Sequence, residues 1–147
     1  MIRVAAAIIE NEEGLLLIAR RRPEKSQGGL WEFPGGKLEE GESPEACLVR
    51  ELKEEMNIEI EPYDFFGVND HWYGAVHIQL IAYRARLVGG EIALVDHDES
   101  CWMRLEELRG FEFAPADIKF VEMLSNTSGL VFQEYRLLSD QGQNFKS

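Results

Sequence analysis

The segment SPEACLVRELKEEMN, residues 43–57, is suited to one regular structure only. Ser43 has the hydroxyl of a helix N-cap, Pro44 suits the first helical position, and Glu45 complements the positive end of the helix dipole. Asn57 can adopt the left-handed conformation that ends a helix. At about 100° per residue, Leu48, Val49, Leu52 and Met56 share one face and Glu51, Glu54 and Glu55 share another. The spacing therefore predicts a helix with a core face and a carboxylate face.

Like charges three and four residues apart destabilise a helix by about a few tenths of a kcal/mol per pair unless a cation sits among them. Arg50 and Lys53 are expected to point away from the middle of the cluster. Three carboxylates on a rigid element, with no sulfur or imidazole, suit a hard ion such as Mg²⁺ or Mn²⁺. The alternative meaning of such a face is a solvated acidic surface.

The helix is set among strand signals. IRVAAAIIE and LLLIAR are apolar runs separated by the hairpin-like NEEG, followed by the polar loop RRRPEKSQGG. IEIEPYDFFGV is a broken strand pattern with Pro62 at its bend. VHIQLIAYRARLV alternates as a strand does, with Gly89-Gly90 as a turn, and SCWMRL is a short strand. APADIKFVEML reads as a closing helix with Pro115 in its first turn. The pattern predicts a single α+β domain over residues 1–124. Residues 125–147 form a C-terminal extension of unknown role, in which LVFQEYRLLS could be strand or helix.

Composition narrows the partners. A chain of 147 residues with 45% apolar content suits one domain. A formal charge of −12 argues against long nucleic acids, which reward clustered Lys and Arg. A small anionic substrate is compatible with that charge if a divalent cation neutralises it locally. No apolar run approaches a membrane span and the N-terminal residues lack a signal-peptide pattern, so no membrane association is expected. Cys47 and Cys101 read as free buried thiols suited to a cytoplasmic setting.

The residues around the helix carry a resemblance. Gly36 is followed after five residues by Glu42, after seven more by Arg50-Glu51, and then by Leu52, Lys53, Glu54-Glu55, Met56, Asn57 and Ile58. This resembles the box of the Nudix hydrolases, with Asn57 where that family has glycine. VAAAIIENEEGLLLIARRRP, GLWEFPGGKLEEGE and FAPADIKFVEML are similar to the MutT-like branch, so the resemblance covers about residues 2–124. It implies an α/β/α sandwich around a mixed sheet, and Mg²⁺-dependent hydrolysis of a nucleoside triphosphate to monophosphate and pyrophosphate. Mn²⁺ is a substitute ion. CTP-type nucleotides or 8-oxo-dGTP are the leading substrates. Hydrolysis of ADP-ribose or another nucleoside diphosphate derivative is a second reading, and a catalytically silent nucleotide sensor a third. A monomer or homodimer is expected.

The resemblance also implies site roles. Glu51, Glu54 and Glu55 with the Gly35 carbonyl hold the ion, while Gly36, Glu42 and Arg50 shape the motif. In the MutT type an acidic residue six before a tryptophan serves as base or ligand, and counting back from Trp102 gives Asp96. Asp98, Glu99 and Glu51 are its rivals. Arg22 and Lys37 match triphosphate-binding positions, Phe33 the base-contacting aromatic, and Asp117 the base-reading polar residue. His97 reads as a loop residue, and His71 and His77 as structural.

Overall fold

The computed structural model describes residues 1–126. The extension after residue 126, including the LVFQEYRLLS segment, lies outside the described residues. Strand β1 (Ile2–Glu10) leads through the Asn11–Gly14 turn into β2 (Leu16–Arg21), and β3 (Trp31–Glu32) and β4 (Gly35–Lys37) follow. Helix α1 (Pro44–Met56), β5 (Ile58–Tyr73), β6 (Val76–Gly90) and β7 (His97–Met103) come next. A 3₁₀ turn over Leu105–Gly110 and helix α2, residues 115–126, complete the order. α2 is described through residue 126.

The sheet is mixed, with spatial order β3-β2-β1-β6-β5. β1 runs parallel to β6 along its whole length and antiparallel to β4. Both faces of β1 are covered, which is why VAAAIIE reads as a continuous apolar run and not as an alternation. Ala5, Ala7 and Ile9 pack with Cys47, Leu48, Leu52 and Met56 of α1. Ala6 and Ile8 face the other way, toward Phe113, Phe120 and Leu124 of the closing segment. Helices thus lie on both sides of the sheet, giving the expected α/β/α sandwich.

The helix caps follow the sequence reading. Ser43 Oγ accepts from the Ala46 N–H at 3.1 Å, and Asn57 takes the left-handed conformation at φ 59°. The core face is slightly rotated from expectation. Val49 is 44% exposed, and Cys47 is buried in its place. The reason is local: Cys47 lies over the glycine strand β4, where no side chains intervene, and its thiol reaches the Gly36 and Lys37 carbonyls at 3.4 and 3.5 Å.

Gly89-Gly90 is not a turn. Both residues pair with the start of β5, Gly90 at φ 88°, and the chain reverses in the following segment, residues 91–96. The bend expected at Pro62 is one of three register shifts in an otherwise continuous β5. β1 and β2 meet only at Glu10 and Leu16, and then diverge. The gap between them receives β4 and the Pro34 carbonyl, which accepts from Ala7 at 2.8 Å. This split opens the place where the site forms.

Leu52 is 1% exposed at the seam between α1 and the sheet. Leu52→Ala should cost about 2–5 kcal/mol, whereas Val49→Ala should stay within about 0.5 kcal/mol. Urea unfolding of both variants checks the pair, and equal losses would contradict this orientation of α1.

Candidate active site

The double glycine seats the acidic helix. A side-chain carbon on Gly35 would collide with the Ala5 carbonyl, and one on Gly36 with the Glu51 carboxylate. Glycine at both positions lets α1 lie flush against β4 and carries Glu51 to the strand backbone.

Arg50 does not point away from the carboxylates, as its place on the helical wheel implied. Its Nε and Nη2 donate to Glu42 at 2.8 Å each, and Nη1 donates to Glu51 at 2.8 Å and Glu54 at 3.3 Å. The long stem lets the guanidinium fold back across the helix surface, where a planar five-donor group satisfies three carboxylates together. The Arg50 hydrogen bond, and next the Glu39 N–H, hold the Glu42 carboxyl down at about 2.

Glu55 lies deeper. Its Oε1 is buried and meets no donor among the described residues. Burial, and then a hydrogen bond with the Asp96 carboxyl, push Glu55 up to about 7, while the same bond holds Asp96 below its usual range. The two carboxyls thus lie close enough to act on each other. Their meeting is enforced by the end of α1, whose last carbonyls lack helical partners. The Ala93 and Val95 N–H groups donate to the Met56 and Glu55 carbonyls at 3.0 and 3.1 Å, tying the segment that carries Asp96 to the helix.

Asp96 is thereby separated from its rivals. Its carboxylate also meets Lys25 at 3.1 Å. Asp98 and Glu99 instead pair with Arg20, at 2.9 and 3.2 Å. A register shift between Arg20 and Arg21 makes Asp98 the extra residue of β7 and turns it toward Arg20.

Beside Gly35 and Gly36 lies a cavity of about 80 Å³, lined also by Val4, Arg21, Glu32, Phe33, Leu80 and Asp117. Phe33 is core, packed on Phe113 at 5.4 Å, yet it also lines the cavity. Its N–H donates to Asp117 Oδ2 at 3.0 Å. Asp117 is 5% exposed, and burial, followed by the Glu32 charge, pushes its carboxyl well above the usual range. The start of α2 is fixed from β5, where Asn69 donates to the Ala116 carbonyl and the Tyr73 hydroxyl accepts from the Ala116 N–H. A larger hollow of about 670 Å³, bordered by Phe111, Phe113 and Ile118, shares no residue with this site.

The structure brings together Gly35, Gly36, Glu42, Arg50, Glu51, Glu54, Glu55 and Asp96, and places Phe33 and Asp117 on the neighbouring cavity. Lys37 stands exposed on β4 at its edge. Arg22 is placed differently from expectation: its Nε donates to the Val95 carbonyl at 3.1 Å, and Arg21 is the arginine on the cavity wall. Arg21 is the last residue of β2, where its guanidinium meets Glu32, a second residue of the cavity wall. Lys25 and Glu32 were also missed, since neither stands in a recognisable spacing. His97 is not a loop residue but the buried start of β7.

Among the described residues no three acidic, histidine or cysteine side chains converge closely enough to hold a metal, because Arg50 lies between Glu51 and Glu54. The residues nonetheless fit a divalent ion in chemistry. They are hard oxygen donors, and Glu55 Oε1 is buried without a donor.

The site thus consists of an acidic loop-helix-loop beside a small cavity, on a mixed sheet between helices. The NUDIX domain profile matches residues 1–124. CTP pyrophosphohydrolase of Escherichia coli K12 is 38% identical over 122 residues, 83% of this chain and 90% of that protein. The 8-oxo-dGTP diphosphatase of the same organism is 34% identical over 116 residues, covering 79% and 90%. The crystal structure of a MutT protein from Methanosarcina mazei Go1 superimposes with a TM-score of 0.77 at 30% identity, covering 86% of this chain and 94% of that one. The chain belongs to the Nudix family and is a Nudix hydrolase.

The depressed Glu42 carboxyl gives a pH signature. A carboxylate whose folded value is lowered contributes fully above its unfolded value, about 4.3, and loses that contribution as pH falls toward the folded value. The stability difference between wild type and Arg50→Gln, measured by urea unfolding, should be constant from about pH 7 to 5 and narrow below about pH 4. A difference independent of pH would show that the Arg50–Glu42 pair contributes nothing.

Proposed function

We propose that the protein cleaves nucleoside triphosphates between the α and β phosphates, releasing monophosphate and pyrophosphate, with cytosine nucleotides or 8-oxo-dGTP as leading substrates. The observation that carries this reading is the Glu51 carboxylate, which lies against Gly36 on the wall of the cavity that Arg21, Phe33 and Asp117 also line, and stands on the helix that bears Glu54 and Glu55. The names of the two Escherichia coli relatives support it.

Glu51, Glu54 and Glu55, with the Gly35 carbonyl, would hold Mg²⁺, or Mn²⁺ in its place. When bound, such an ion shields phosphate oxygens and lowers the pKa of water. Lys37, Lys25 and Arg21 supply the positive charge that a triphosphate requires in this acidic protein. Asp96, whose carboxyl is held below its usual range by Glu55 and Lys25, is the acceptor for the proton of the attacking water. Glu42 and Arg50 keep the loop before α1 registered on the helix. Asp117, oriented by the Phe33 N–H, reads the base edge. Small nucleotides of the cytoplasmic pool are the substrates that fit a chain of this charge, acting as monomer or homodimer.

Incubation with a nucleotide panel and Mg²⁺ should release pyrophosphate. Orthophosphate as the product would contradict the cleavage position. Activity should disappear with chelator, and Glu54→Gln, folded as wild type, should lose about 100-fold or more. Wild-type rates in that variant would remove Glu54 from the ion site.

Asp117→Asn should leave turnover in place and shift the cytosine-to-uracil ratio of kcat/KM, or that of 8-oxo-dGTP to dGTP, by up to about 1–3 kcal/mol. A uniform fall across all four nucleotides would reduce Asp117 to a support for α2.

A further inference from the structure

His97 has no part in the roles assigned above, yet with Asp117 it is one of the two buried polar residues near the site among the described residues. It is 4% exposed, its Nε2–H donates to Glu32 Oε2 at 2.8 Å, and its Nδ1 is buried with no partner among the described residues. Leaving one ring nitrogen unsatisfied is costly. That cost is unexplained if the residue only fills space, since an apolar side chain would fill it without the penalty.

Position supplies a reason. His97 directly follows Asp96 in the chain and pairs with Arg21 across β7 and β2. Its bonding partner Glu32 stands on β3 and lines the cavity. The other ties on these two carboxylates are weaker. Asp96 meets Lys25 at 3.1 Å between two partly exposed side chains, and Glu32 meets Arg21 at 3.4 Å. The shorter and more enclosed His97–Glu32 bond joins the strand that begins beside Asp96 to the cavity wall.

We infer that His97 is a positioning residue: by bonding Glu32 it fixes the Asp96 peptide, and so holds the Asp96 carboxylate at a set place relative to the nucleotide cavity. This rests on the function proposed above. His97 itself touches neither nucleotide nor water. Its loss should therefore slow the chemical step while leaving nucleotide binding largely intact.

The test compares wild type, His97→Ala and His97→Gln, whose amide nitrogen can reach the place of Nε2, on whichever nucleotide the wild type hydrolyses fastest. Thermal unfolding is measured alongside. His97→Ala should lower kcat by about 10- to 100-fold with KM changed less than about threefold, the range expected when a partner that orients a reacting group is removed. His97→Gln should recover most of kcat. In the wild-type protein the His97 ring N–H should give an exchange-protected proton resonance, which Glu32→Ala should abolish. Wild-type kcat in a folded His97→Ala protein would overturn the inference, as would a rise in KM alone or a loss that glutamine does not repair. If His97→Ala does not fold, His97→Phe, which fills the space without a donor, is judged by the same criteria. Absence of pyrophosphate among the wild-type products would refute the proposed reaction instead, because the variant ratios are taken on the nucleotide that is hydrolysed.

Discussion

Carboxylates at positions 51, 54 and 55 of one helix repel one another, and much of the surrounding structure meets that repulsion. Arg50 folds back to bond Glu42, Glu51 and Glu54. Glu51 is pressed against a strand that has no side chain at Gly36. Glu55 differs: burial, and then the neighbouring Asp96 carboxyl, push its carboxyl up to about 7, toward the neutral form. None of these arrangements maximises stability. A helix with neutral residues at those positions would avoid the penalty altogether, so the retained charges are best explained by their chemistry.

The fold turns this local problem into a site through the termini of its elements. The last carbonyls of α1 need donors, and residues 93 and 95 supply them, which carries Asp96 to the helix. The divergence of β1 and β2 leaves room for the glycine strand, and the loop before α2 delivers Asp117 to the Phe33 N–H. Three connections, far apart in sequence, therefore converge because each satisfies a backbone group of its neighbour. Rigid elements lie directly behind the polar atoms, as a site that must position a reacting group requires.

The layered fold was legible because its signals are periodic. The capping of α1 by Ser43 and Asn57, the buried run of β1 and the closing helix after Pro115 follow from local residue chemistry. What escaped the sequence depended on reach and pairing. The stem of Arg50 overrides its wheel position. Val49 and Cys47 exchange roles because β4 is bare. Gly89-Gly90 resembles a turn in sequence but is occupied by pairing with β5. The run Arg20-Arg21-Arg22 gave no sign of which arginine would line the cavity, since a strand boundary decides it. Lys25, Glu32 and His97 lay outside the motif altogether, and only their contacts give them meaning.

The account turns on whether the acidic face of α1 is a divalent-cation site. Titration with Mn²⁺, following the free ion by electron paramagnetic resonance with and without nucleotide, tests this without reference to turnover. Saturable binding to the wild-type protein, weakened about tenfold or more in Glu51→Gln and in Glu54→Gln, is the result expected. No saturable binding even with nucleotide present, or equal affinity in all three proteins, would contradict it.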